Sequence, residues 1–411
     1  MFFFDKKIIP DNSKFETPSK QSWRRLKKNK AAMIGLFIIL FSVLVAIFAY
    51  EIIPDTTPDA NEQVTQVSLQ NPGFNIQMLQ VHRDKEASNT SFFVQLFSGT
   101  ESEEELIPIT NYKVVGDKIL IDEYRGKGLK PKQQWYYLAD VVYANSVTDT
   151  SEILSGENVS FKNFQEETIT KNITDLKNEV EKNHVTKKRF LLGTDFLGRD
   201  IMSRLLLGVR VSLSVGIISV LISLLIGVSL GAAAGYYRGK TDSIIMFLIN
   251  IIWSIPTILF VFALSLALGK GFWQIFIAVG LTMWVSVARL VRGQVMSIRE
   301  TEFVEAAKSL GYKSPRIIFR HILPNILGPV MVIAAANFAS AILIEAGLSF
   351  IGIGVQPPTP SWGSMIKENY SFIITSNPVI ALAPGIAIMI LVLSFNLLGN
   401  GLRDALDVKT K

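Results

Sequence analysis

Apolar residues in this chain are gathered into long unbroken runs instead of recurring at strand or amphipathic-helix spacing. Six runs are long and apolar enough to cross a hydrocarbon layer about 30 Å thick. They lie at 31–50, 211–235, 243–268, 272–288, 326–348 and 379–398, the fourth being short. Pro256 predicts a kink in the third run and Pro384-Gly385 one in the sixth. A bundle tolerates such breaks where neighbouring helices cover the freed backbone groups. The pattern predicts an all-α polytopic membrane protein of six spanning helices.

Two stretches between the runs break the pattern. The first, 51–190, is too long for a structureless loop. Runs at 91–97, 112–115, 119–121 and 134–143 are rich in Val, Ile, Phe and Tyr and predict strands, with Gly116-Asp117 as a hairpin turn. Ile169, Ile173, Leu176 and Val180 predict a helix over 164–183. The expectation is a small α+β domain inserted between the first and second spans. It opens on two readings, a platform for a partner protein or a decoration that steadies one face.

The second stretch, at about 297–325, is a short polar helix-turn-helix pattern. Ser297-x-x-Glu300 reads as a capping box opening a helix. Phe303, Ala306, Ala307 and Leu310 form its apolar face, with Glu302, Glu305 and Lys308 opposite. Gly311 suits a left-handed cap, and Ser314-Pro315 reads as an N-cap followed by proline at the first helical position. The bland alternative is an amphipathic helix resting on lipid headgroups.

Charge fixes sidedness. Lys6, Lys7, Lys14, Lys20, Arg24, Arg25, Lys27, Lys28 and Lys30 precede the first run. Arg238 and Lys240 follow the second, and Arg289, Arg292, Arg299, Lys308, Lys313, Arg316 and Arg320 follow the fourth. Arg403, Lys409 and Lys411 close the chain, while the opposite loops hold only Lys270 and Lys367. Basic loops stay inside, so both termini and the 297–325 loop are expected in the cytoplasm and 51–190 outside. Residues 60–188 carry 14 Lys/Arg against 19 Asp/Glu, so the net charge of +6 is sorted by position and is not a nucleic-acid signal. The first run is longer than a signal-peptide core and lacks a small-residue cleavage pattern, so it reads as a retained helix. Its basic lead, Trp23 to Lys30, suits anionic lipid. The expected division is a basic segment at 1–30, a first helix at 31–50, the insert at 51–190 and a five-helix core at 191–411.

Chemistry-bearing residues are few. The chain has no cysteine, which excludes disulfides and thiolate metal sites. His82 and His184 lack ligand spacing, His321 has no evident chemical partner, and no nucleophile–base pair appears, so neither a metal site nor an enzyme is expected. Gly235 to Thr241 approaches a phosphate-binding loop, but the required first glycine is Ala234 and a membrane helix precedes it instead of a strand. Glu345 is an acidic residue inside an apolar run, a pathway candidate or the partner of an interfacial base. Asn250, Trp253 and Ser254 lie near Pro256 and are candidates for a cavity wall. Gly227, Gly231 and Gly235 recur every fourth residue, as close helix packing requires. Asp195, Arg199, Asp200 and Arg204 read as a surface ion-pair cluster, and 201–207 as a short interfacial helix.

The run Glu305-Ala306-Ala307-Lys308-Ser309-Leu310-Gly311, followed by His321-Ile322-Leu323-Pro324-Asn325, resembles the EAA loop of ATP-binding-cassette importer permeases. Leu191-Leu192-Gly193-Thr194-Asp195-Phe196-Leu197-Gly198-Arg199-Asp200 with Ser203-Arg204-Leu205, and the later run from Leu348 to Gly363, resemble the C-type subunit of the dipeptide, oligopeptide and nickel branch. The resemblance covers roughly 190–405 and the first helix; the insert departs from the common short form. It implies a type I importer permease, paired with a homologous second permease, two ATPases and an extracytoplasmic binding protein. ATP and Mg would be used by the ATPases, with no cofactor on this chain. ATP binding would close the ATPases around the docked loop and tilt the bundle from inward-open to outward-open. In the loop, Glu305 would supply a polar docking contact, Ala306 and Ala307 close approach, and Gly311 the turn. Gly193, Thr194, Asp195, Gly198, Arg199 and Asp200 would mark the outer face. Peptide is favoured over nickel because cysteine is absent and histidine scarce. A ligand sensor anchored by few spans is the reading from another class, and six spans argue against it.

Overall fold

The apolar runs become helical because, in lipid, a backbone must satisfy its own hydrogen bonds. The computed structural model describes residues 18–83, 91–143, 152–154, 158–162, 168–269, 271–374 and 377–406. Lys6, Lys7, Lys14, Lys270, Lys409 and Lys411, used above for sidedness, lie outside the described residues, as do 164–167 of the expected helix.

Helix α1 (Pro18–Lys28) leads to α2 (Lys30–Ile47), whose first turn is capped by the Asn29 side chain accepting from the Ala32 amide at 3.1 Å. A short α3 (Ala49–Ile52) ends the first run. The insert then runs through β1 (Phe74–His82), α4 (Phe92–Ser98), β2 (Glu104–Val115), β3 (Lys118–Glu123), β4 (Lys132–Tyr137), α5 (Leu138–Val142), β5 (Glu152–Leu154), β6 (Asn158–Lys162), β7 (Thr168–Asn172), α6 (Ile173–Glu179) and β8 (Val185–Phe190). Five strands form one antiparallel sheet in the order β4-β3-β2-β1-β8; β5, β6 and β7 form a second. Period-two alternation gives the larger sheet two buried faces. Leu79, Ile107, Ile109, Ile119 and Ile121 meet Leu138, Val141 and Leu176 of α5 and α6 on one face. Met78 and Phe190 meet Val64 and Val67 of the entering segment on the other.

The core follows: α7 (Ile201–Tyr237), α8 (Gly239–Trp253), α9 (Thr257–Leu268), α10 (Phe272–Ile298), α11 (Glu302–Ser309), α12 (Ser314–Ile317), α13 (Leu323–Ile351), α14 (Trp362–Asn369) and α15 (Val379–Leu406). Among the described residues five helical stretches are long and apolar enough to cross a membrane, or six if α8 and α9 form one span. The break predicted at Pro256 is sharper than a kink, since α8 and α9 meet at 93°. Helix α15 is unbroken through Pro384. Residues 201–207 are the first turns of α7 and not a separate interfacial helix, because nothing in Ile201 to Arg210 stops the helix.

The glycine stripe does the packing expected of it. A Cβ on Gly231 would lie 2.5 Å from the Ala288 carbonyl oxygen, and Gly227 and Gly235 meet the Trp284 and Arg292 carbonyls in the same way. Helix α7 therefore lies backbone to backbone along α10. Helices α2, α7, α13, α14 and α15 share another core, in which the Phe338 and Phe395 rings stack at 3.9 Å.

In the insert, the hairpin at Gly116-Asp117 and strands over 112–115 and 119–121 are as expected. Three elements differ. The expected strand over 91–97 is instead helix α4 (Phe92–Ser98) with Ser91 as its N-cap, because that stretch is apolar without alternation and the Leu96 and Phe97 carbonyls find a cationic partner on α7. The expected strand over 134–143 stops at Tyr137, because Leu138, Ala139, Val141 and Val142 are all buried, a spacing only a helix satisfies. The expected helix over 164–183 is β7 up to Asn172 and α6 after it, the Asn172 side chain capping α6 by accepting from the Thr174 amide at 2.8 Å.

Candidate functional site

Helix α10 carries past the last apolar residues to Ile298, so Ser297 lies inside it and forms no capping box with Glu300. Thr301 is the N-cap of α11, and its Oγ1 donates back to the Ile298 carbonyl at 2.6 Å. The other end of α11 closes as a Schellman motif. Gly311 has φ +75°, its amide reaches the Lys308 carbonyl at 2.9 Å, and the Tyr312 amide reaches Ala307 at 3.2 Å. Helix α12 begins one residue earlier than expected, with Lys313 as N-cap and Ser314 at its first position. The chain then continues through a widened turn at 318–322 into α13.

Burial on α11 differs from the expected face. Val304 and Ala307 are buried with Ile317, Ile318 and Ile322 against Tyr236, Val291 and Val295 of α7 and α10. Phe303, Ala306 and Leu310 are exposed, with Glu305 beside them and Phe319 and Tyr312 nearby. Of the two alanines, Ala307 thus packs inward and Ala306 faces out. Helix α11 is rotated so that Val304 sits beside Ala307 on the buried face, which leaves Phe303, Ala306 and Leu310 outside it. The result is a rigid, outward-facing apolar patch tied to two spanning helices. The Gly235 to Thr241 stretch is the junction of α7 and α8, where Arg238 adopts φ +57° and its guanidinium pairs with Glu300. That pairing holds the exposed Glu300 carboxyl below its ordinary range.

The second group of residues joins β8 to α7. Asp195 and Arg199 pair at 2.6 Å, Arg199 and Glu368 at 2.8 Å, and Arg204 lies 4.0 and 3.8 Å from Asp195 and Glu368. Asp195, Arg199, Asp200 and Arg204 are all buried, so this is an interior cluster and not the expected surface one. The segment entering the insert and α14 cover it. Asp195 Oδ1 also accepts the Leu197 and Arg199 amides at 2.9 and 3.0 Å. Gly193 (φ +83°) and Gly198 (φ +76°) lie where a Cβ would strike the Gln70 and Val64 carbonyl oxygens. Thr194 Oγ1 donates to the Val67 carbonyl at 2.5 Å. Asp200 caps α7 by accepting from the Ser203 amide at 2.9 Å and hydroxyl at 2.5 Å, and the Asp55 amide donates to the same hydroxyl at 3.1 Å. Burial pushes the Asp200 carboxyl above its ordinary range, against the opposing pull of the Ser203 bonds.

A third feature is a cavity of about 370 Å³ where the α8–α9 break faces α10 and α13. Trp253, Thr282, Ser286, Asn337 and Ser340 give it polar wall positions. Among the described residues the Asn337 amide nitrogen has no hydrogen-bond partner. Of the residues singled out earlier, Trp253 lines this cavity. Glu345 is not in its lining; it is fully buried, with Oε1 accepting from Ser349 at 2.6 Å. Asn250 is exposed, and its Oδ1 accepts from Arg289 at 3.4 Å. The Arg289 guanidinium lies 3.2 Å from the Trp253 ring centroid. Thr282, Ser286, Asn337 and Ser340 went unnoticed in the sequence; polar residues three and four apart within apolar runs were the available signal.

Two family descriptions match the chain. Residues 227–411 match the binding-protein-dependent transport system inner membrane component, and residues 17–72 the N-terminal TM domain of oligopeptide transport permease C. Residues 73–226 fall outside both. The glutathione transport system permease protein GsiD of Pectobacterium atrosepticum is 44% identical over 220 residues, 54% of this chain and 73% of that protein. The dipeptide transport system permease protein DppC of Alkalihalophilus pseudofirmus is 46% identical over 219 residues, 53% and 72%. The oligopeptide transport system permease protein OppC of Bacillus subtilis is 39% identical over 219 residues, 53% and 72%. The solved MetNI methionine ABC transporter is more distant, at 20% identity and a TM-score of 0.43 over 50% of this chain and 98% of that one.

Proposed function

This chain belongs to the inner-membrane permeases of binding-protein-dependent transport systems, in their dipeptide and oligopeptide branch, and from that premise we propose how its parts divide the work. It is a multi-pass transport permease of a peptide importer and not an enzyme. Transporters of this kind work with ATPase and substrate-binding subunits. In this reading α8 and α9 form one broken span, giving six, and the second permease is a homologue that completes the pathway. Both termini and α11 face the cytoplasm, and 51–190 lies outside. ATP and Mg are used on the partner ATPases.

The carrying observation is the division of α11 into two faces. Val304 and Ala307 fix it to α7 and α10, while Phe303, Ala306, Leu310 and Glu305 are exposed among the described residues. A short helix that is rigid beneath and apolar outside transmits a push from a docked ATPase to two spans at once. Glu305 adds a polar contact, and Gly311 lets the chain turn back into α12. The cavity at the α8–α9 break gives peptide a polar, aromatic-walled stop along the way. Uptake of a labelled tripeptide by cells carrying the complete transporter tests this. The Ala306→Asp variant should lose at least about tenfold in uptake at unchanged membrane level, since a buried charge without a partner opposes docking. Full uptake by the inserted variant contradicts the docking role.

A further inference from the structure

Helix α4 lies in the part of the chain outside both family matches, and its surface is unusual. Leu96 packs inward, while Phe92, Phe93 and Phe97 are 62%, 70% and 60% exposed, with Val94 beside them. Three exposed phenylalanines on seven residues make an apolar patch that water does not favour. Its position says what covers it. The Arg210 guanidinium donates to the Leu96 and Phe97 carbonyls at 2.8 and 2.9 Å, and to the Ile47 carbonyl at 3.0 Å; its Nε bonds the Ala46 carbonyl. One cation thus closes the C-terminal ends of both α2 and α4, where the helix dipoles favour positive charge. Tyr50 rests on the other side of that guanidinium at 4.9 Å, and Gly99 turns the chain away against the Tyr50 ring.

Ile47 is the last residue of the first spanning helix, and the first acidic side chain beyond it, Glu51, follows one turn later. The end of α2 therefore marks the edge of the hydrocarbon layer. Helix α4 is pinned at that edge. Helix α2 itself exposes Phe37, Phe41 and Leu44, and Phe48 just beyond its end is exposed as well. Arg, Tyr and Phe at one level are the composition of a membrane interface.

We propose that α4 is a lipid-interface anchor of the inserted domain, with Phe92, Phe93 and Phe97 entering the acyl boundary of the adjacent leaflet. The insert is then attached to the membrane at a point beyond its two chain crossings, and its orientation over the bundle is set by lipid as well as by α7. This rests on α2 spanning the membrane and not on the docking role of α11.

The chain has no cysteine, so a single introduced thiol can be labelled cleanly. The full-length Phe93→Cys variant, purified with its assembly in lipid nanodiscs, would carry an environment-sensitive fluorophore. A Lys113→Cys variant, on an exposed position of β2, serves as the aqueous reference. The label at 93 should be quenched at least about threefold more by a nitroxide at the headgroup end of the acyl chain than by iodide, and less by one at the methyl end, as shallow insertion of about 5–10 Å requires. The label at 113 should respond to iodide alone. Iodide-dominated quenching at 93 overturns the proposal by placing the patch in water. Protection at 93 from both quenchers overturns it by placing the patch against a protein partner.

Discussion

Arg199 Nε lies 2.6 Å from Asp195 Oδ2, and the two side chains are 3% and 1% exposed. The pair is an interior joint. Its carboxylate also takes two backbone amides of its own turn, and its guanidinium reaches across to Glu368 near the end of α14. The joint ties the return of the inserted domain, the start of α7 and the segment before the last span into one unit.

Removing one partner of a buried pair leaves the other charge uncompensated, at a cost of about 3–5 kcal/mol. Arg199→Met should therefore sharply lower the thermal midpoint of the purified protein and its yield in membranes. Arg199→Lys should fall between, because an ammonium cannot reproduce the forked contact with Asp195 and Glu368. A midpoint within error of wild type for Arg199→Met contradicts the joint.

Helices α7 and α10 approach through glycine. A Gly231→Leu side chain would have to displace the Ala288 backbone, and overpacking of this kind costs about 1–3 kcal/mol. Gly293→Ala, with nothing near its Cβ position, should be neutral. Limited proteolysis of detergent-solubilised protein compares the two; equal resistance would refute the close crossing.

Gly311 tests geometry separately from contact. Among the described residues no atom lies near its Cβ position, so Gly311→Ala meets only the backbone penalty of φ +75°, about 1–2 kcal/mol. Gly311→Pro also removes the amide that closes α11 onto Lys308. Peptide uptake should fall in the order wild type, alanine, proline, with insertion intact. Unchanged uptake in the proline variant would remove the turn from the mechanism.

Asp200 predicts a pH dependence. Burial raises its carboxyl above the unfolded value of 3.8, so its protonated form is the one the fold favours. Its contribution is complete below pH 3.8 and is lost as pH rises through the folded value. Asp200→Asn keeps a good cap for the Ser203 amide and cannot ionise. Its thermal midpoint should gain on wild type as pH rises from 3.8 and stay level with or above it beyond that window. Asp200→Ala loses the cap, at about 1 kcal/mol. A constant difference between Asp200→Asn and wild type across pH would show that Asp200 ionises freely.

The spanning helices were legible because an apolar run of twenty residues has few alternatives in any environment. Gly227, Gly231 and Gly235 were legible for the same reason, since their spacing matters only on a helix. The Asp195–Arg204 cluster was not. Charges in sequence look exposed, and burial came from the 61–70 segment and Glu368, more than a hundred residues away on either side. Helix α4 was misread because Phe and Val favour strands by propensity, while Arg210, remote in sequence, held the helix ends. On α11 the apolar spacing marks Ala307 correctly, but Val304 joins it in the buried face and Phe303, Ala306 and Leu310 stay exposed, because which side of so short a helix packs is set by α7 and α10.

The most direct test is a pull-down of the tagged chain from gently solubilised membranes, assayed for associated ATPase activity, comparing wild type with the Glu305→Arg/Ala306→Asp variant. Both positions are exposed, so the variant should insert and fold normally. ATPase activity that accompanies the wild type and is absent from the variant is the predicted result. Equal activity with both, or none with either while the second permease is retained, would contradict coupling through α11.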